Sequence, residues 1–186
     1  MDIQAQVVAA VKQLKPICTP EAINKALAGL FAGLFKLNGQ TVESLSPVDL
    51  YTQALQRGFY TSNNPMLDSK YRECAVVALL ASQEAEANLA LHVFIALMIN
   101  ITPAEVVNIV FLTGVYSGVN VLTKSLRVVA KTFAAVIAAA AEAQPTTAEK
   151  VINRVLGAFP DQPFEDAKAI LLKGPGTTPG TAHSVY

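Results

Sequence analysis

A chain of 186 residues has the length of one compact domain, and it can bury roughly 70% of its unfolded surface without disulfides or a metal. Charged residues make up 15% of it against a usual ~25%, and 52% are apolar; this excludes disorder for most of the chain and predicts apolar surface buried between subunits. Fourteen Lys and Arg balance fourteen Asp and Glu, so net charge points to neither nucleic acid nor an anionic membrane, and two His with two Cys are little material for a metal cage or a disulfide framework.

Helical signals run the length of the chain, and strand signals are hard to find. The opening MDIQAQVVAAVKQLKP leads with an acid and has no basic stretch running into an apolar one, so no secretory signal is expected. Its apolar spacing predicts a helix over 2–14, stopped before Pro16. Four later helix starts share one chemistry: Thr19-Pro20-Glu21, Ser46-Pro47-Val48-Asp49, Thr102-Pro103-Ala104-Glu105 and Thr146-Thr147-Ala148-Glu149. A hydroxyl there accepts an orphan first-turn N–H, and the acid meets the positive end of the helix dipole. In the first three, Pro at the first helical position loses no hydrogen bond. Thr102 to Glu105 reads as a full capping box.

These caps predict helices over 20–36, 47–58, 68–81, 83–99, 103–114 and 118–143, then two shorter ones from Thr147 and Pro163. The stretch 106–123 has no charged residue but contains Asn108, Thr113, Ser117 and Asn120, and it lacks aromatic belts. It reads as helix buried in a soluble assembly rather than as a membrane span. The alanine-rich run 133–141 suits a close helix crossing, although helix propensity alone accounts for it nearly as well. The Gly- and Pro-rich 174–180 cannot build a core, so 174–186 is expected to be a disordered tail.

Few residues can carry chemistry. Cys18 and Cys74 lie far apart in no CxxC pattern and are expected to be buried small residues in a reducing, cytoplasmic setting. His183 falls in the tail, so any histidine base must be His92. Ala85, Asn88 and His92 are spaced three and four apart and share one helix stripe, while Glu86 is turned towards the rim. On the preceding helix, Arg72-Glu73 reads either as a solvated pair or as an inward Glu73 that meets His92. In the second case the carboxylate fixes the imidazole tautomer and raises the basicity of the other ring nitrogen. A neutral His92 bonded for purely structural reasons is the plainer alternative.

From Tyr71 to about Val129 the chain resembles the carboxymuconolactone decarboxylase and alkylhydroperoxidase-like family. The resemblance rests on Arg72-Glu73 heading an apolar helix, His92 with Ala96 on the next, Asn100-Ile101-Thr102-Pro103-Ala104-Glu105-Val106, and Gly114-Val115-Tyr116-Ser117-Gly118 before a long helix. It implies an all-α, multi-helix bundle that assembles as trimers or hexamers. The domain organisation is then N-terminal helices over 1–66, a family-like core over 67–143, C-terminal helices over 144–173 and the tail. The family's peroxidases carry Glu, then Cys-x-x-Cys, then His. On this chain Glu73 and His92 match, whereas the two cysteine positions fall on Ala85 and Asn88. A dithiol peroxidase is therefore disfavoured.

The resemblance implies the decarboxylase branch, acting without cofactor or metal on a small carboxylated molecule. His92 would be the acid/base and Glu73 its partner, with Asn88, Tyr116 and Arg72 binding substrate. Tyr116 also has a purely structural reading, an aromatic packing at a helix end before Gly118. A peroxidase and a non-catalytic ligand-binding family member are the alternatives.

Overall fold

The computed structural model describes residues 2–35, 68–142 and 146–160, with 28–35 as backbone only. The expected helices over 47–58 and from Pro163, and the expected tail, lie outside the described residues. Within them the chain is all-helical, with seven helices and no strand: α1 (Ile3–Leu14), α2 (Pro20–Phe35), α3 (Ser69–Ser82), α4 (Glu86–Met98), α5 (Pro103–Ser117), α6 (Val119–Ala140) and α7 (Ala148–Gly157). None of them is long and apolar enough to cross a membrane.

The starts follow the predicted caps. The Ala22 amide donates to Thr19 Oγ1 at 3.2 Å and the Lys150 amide to Thr147 Oγ1 at 3.3 Å. At α5 the box closes both ways: the Glu105 amide donates to Thr102 Oγ1 at 3.2 Å, and the Thr102 amide donates to Glu105 Oε2 at 2.7 Å. Lys70 Nζ reaches Glu105 Oε1 at 2.8 Å, which ties the first turn of α3 to that of α5. The Lys70 bond and the Thr102 amide hold the Glu105 carboxyl down at about 2.

Two helix ends, α3 at Ser82 and α4 at Met98, fall within a residue of expectation and share one kind of closure. After α3, Glu84 takes φ 54°, the Glu84 amide donates to Ala81 O and the Ala85 amide to Leu80 O. After α4, Asn100 takes φ 74°, its amide donates to Leu97 O and the Ile101 amide to Ala96 O. Both are Schellman closures, which usually place Gly in the left-handed position. With Glu there, the turn between α3 and α4 carries no glycine signal, and α4 begins at Glu86 rather than at 83. α5 continues past Gly114 to Ser117, and Gly118 at φ 105° breaks it from α6.

α4 is the central helix. Leu89, Ala90, Leu91 and every residue from Val93 to Met98 are buried, and it packs against α3, α6 and α7. α6 crosses α1, α4, α5 and α7, burying Val128, Val129, Phe133, Ala135, Val136 and Ala139, so the alanine-rich run serves a core crossing. The stretch 106–123 spans the α5–α6 corner, and within one chain it is mostly uncovered. Val106, Val110 and Gly114 are buried, whereas Phe111, Leu112, Val115, Tyr116 and Val119 are exposed.

At that corner a Cβ on Gly114 would lie 2.5 Å from Leu122 Cβ. No rotamer change moves a Cβ, so relief requires the two helices to separate. Gly114→Ala is expected to lose about 1–3 kcal/mol to overpacking, more than the ~1 kcal/mol that Ala gains over Gly inside a helix. Denaturant unfolding checks this as a net loss of stability.

Candidate functional site

Glu73 sits one turn into α3, on the stripe with Val77 and Ala81 that faces the core. It is only 3% exposed. A buried carboxylate needs a partner, and His92 on α4 supplies it: Nδ1 lies 2.6 Å from Glu73 Oε1. The inward reading of Glu73 is the observed one. The imidazole side chain retains 14% exposure against 4% for the Glu73 side chain, so the pair is anchored at its acid end and meets the surface at its ring. The arrangement can orient an imidazole through Nδ1.

None of the other expected site residues takes part in the Glu73–His92 contact. Asn88 lies one turn before His92 on the same stripe of α4 and is exposed. Arg72, beside Glu73 in sequence, is half-buried and takes part in none of the ion pairs of the described residues. Tyr116 is 89% exposed near the end of α5. Its expected packing before Gly118 does not occur within one chain.

Neither cysteine is disulfide-bonded. Burial pushes the Cys18 thiol up to about 11, and burial followed by the Glu105 charge raises Cys74 as well. Both shifts work against a thiolate. Among the described residues no group of three or more His, Cys, Asp or Glu converges in a way that could hold a metal ion.

Sequence reasoning overlooked the Lys70–Glu105 tie and a basic stripe on α6 formed by Lys124, Arg127 and Lys131. The stripe was legible in principle as charges three and four apart. Its apolar partner Phe159, contributed just beyond α7, was not.

The described residues are all-helical and set a buried carboxylate, Glu73, against the ring of His92. Residues 48–131 match the sequence model of the Carboxymuconolactone decarboxylase family, so this stretch is a domain of that family and the resemblance read from the motifs holds. The match contains both Glu73 and His92 and begins ahead of the described part of the core. No curated protein and no solved structure matches the chain.

Proposed function

We propose that this is a carboxymuconolactone decarboxylase-like protein that carries out cofactor-free acid–base chemistry, decarboxylation or lactone conversion, on a small carboxylated substrate. The observation that supports it most is the 2.6 Å contact between His92 Nδ1 and the buried Glu73 carboxylate. When a carboxylate leaves as CO₂, the electron pair of the broken C–C bond stays on the substrate as an enolate-like charge. His92 Nε2 first takes up a proton from water, Glu73 stabilising the imidazolium so formed, and then delivers that proton to the carbon that lost the carboxylate, which quenches the charge and restores the neutral ring. Asn88 is the proposed hydrogen-bond donor to substrate. Arg72 is the proposed clamp on a substrate carboxylate, which guanidinium binds in a two-point fork. Tyr116 is proposed as a further donor.

The proposal includes a homo-oligomer, a trimer or hexamer, in the cytoplasm. The exposed Phe111, Leu112, Val115, Tyr116 and Val119 lie in an uncharged stretch, the kind of surface a second copy covers without burying a charge. In that assembly Tyr116 would be carried towards a neighbouring subunit. The raised thiols and the Ala85 and Asn88 identities argue against the peroxidase reading.

The test is to offer the full chain a set of carboxylated five-membered lactones and follow substrate loss and CO₂ release. Turnover of at least one is expected, with His92→Ala abolishing it and leaving the oligomer seen by light scattering intact. Equal turnover by His92→Ala overturns the assigned role, and no turnover of any member favours a ligand-binding protein.

A further inference from the structure

A cleft of about 470 Å³ lies on another side of α4 from Glu73. It is lined by Glu86 at the start of α4, by Lys124, Arg127, Val128, Ala130 and Lys131 of α6, and by Phe159 beyond α7. Glu86 and His92 are six residues apart, on different faces of the helix, so the cleft and the proton-transfer pair are separate features.

The cations of this cleft are unequally engaged. Lys124 pairs with Glu84, the residue held in the left-handed turn after α3. Lys131 Nζ stands 5.5 Å from the centre of the Phe159 ring. Arg127, between them on the exposed stripe, has no carboxylate partner among the described residues. Like charges three and four apart on a helix repel one another, and among the described residues three cations against Glu84 and Glu86 leave one unit of positive charge. The floor is apolar: Val128 is 3% and Phe159 8% exposed.

We propose that this cleft is a second binding site, for a small monocarboxylate with an apolar body. The carboxylate takes the two-point fork of Arg127, and the body lies over Val128 and the Phe159 ring. One residual positive charge suits a monoanion better than a dianion, and the buried floor gives an inorganic anion nothing to cover. The inference does not depend on the activity proposed for His92.

The experiment titrates the full-length protein with benzoate, and in parallel with inorganic phosphate, using calorimetry and amide chemical shifts. Benzoate is expected to bind in the millimolar range or tighter, to shift the resonances of Val128 and Phe159, and to outcompete phosphate. Arg127→Gln, a change on an exposed helix face, is expected to weaken benzoate about tenfold or more, while His92→Ala binds it as the wild type does. Lys131→Gln, which also removes a cation over the ring, is expected to weaken it by less. Absence of benzoate binding to the wild type overturns the proposal, as does equal affinity in Arg127→Gln. Loss of binding in His92→Ala would relocate the site to the proton-transfer pair and equally overturn it.

Discussion

Glu73→Gln is expected to keep the protein folded while lowering turnover of an accepted carboxylated lactone by about 10²–10⁴-fold. The amide is nearly the same shape as the carboxylate and its oxygen still accepts from His92 Nδ1. Stability should therefore stay within about 1 kcal/mol of wild type. The negative charge is lost, and with it the stabilisation of the imidazolium that forms when the ring takes a proton. Glu73→Ala supplies the contrast. It leaves the Nδ1–H without an acceptor in a site where the acid was 3% exposed, at an expected cost of about 1–3 kcal/mol. Turnover with each variant, together with urea unfolding, separates the two effects. Wild-type turnover in Glu73→Gln would reduce the pair to a structural hydrogen bond.

Phe94→Ala is expected to be the most damaging core substitution, at about 3–5 kcal/mol. Phe94 has no exposed surface and is the largest of the fully buried side chains, on the helix that the rest of the described structure surrounds. That loss is a large share of the ~5–15 kcal/mol that holds a domain folded. Phe94→Leu keeps most of the volume and should cost less than about 1.5 kcal/mol. Denaturant midpoints for the two variants check the ordering, and a Phe94→Ala loss below about 1 kcal/mol would show that the core does not close around α4.

The capped helix starts were readable because their signals are local. A Thr hydroxyl, a following Pro and an acid satisfy first-turn amides without help from the rest of the fold, and Thr19, Thr102 and Thr147 all cap as their neighbours suggest. The start of α4 at Glu86 was not readable, because the turn before it holds a left-handed Glu84, whose side chain pairs with Lys124 forty positions away. No window of sequence contains both. The meeting of Glu73 with His92 could be anticipated from helical spacing together with the family motif, since each residue heads an inward stripe. The exposure of Tyr116 could not. Which face of α5 is covered within one chain depends on how α3 and α6 pack on it, and the apolar residues of 106–123 run around more of that helix than one chain buries. The cleft beside Arg127 needed the tertiary fold for the same reason, its lining coming from α4, α6 and Phe159 beyond α7.

The direct test is to locate the proton on the neutral imidazole from the nitrogen-15 resonances of the His92 ring. A Glu73 carboxylate that accepts a hydrogen bond requires the proton on Nδ1, with Nε2 carrying the lone pair that takes up the proton later delivered to substrate. Resonances of an Nδ1–H ring that move in Glu73→Gln are the result expected. A ring protonated at Nε2, with Nδ1 bare beside the acid, would contradict the account.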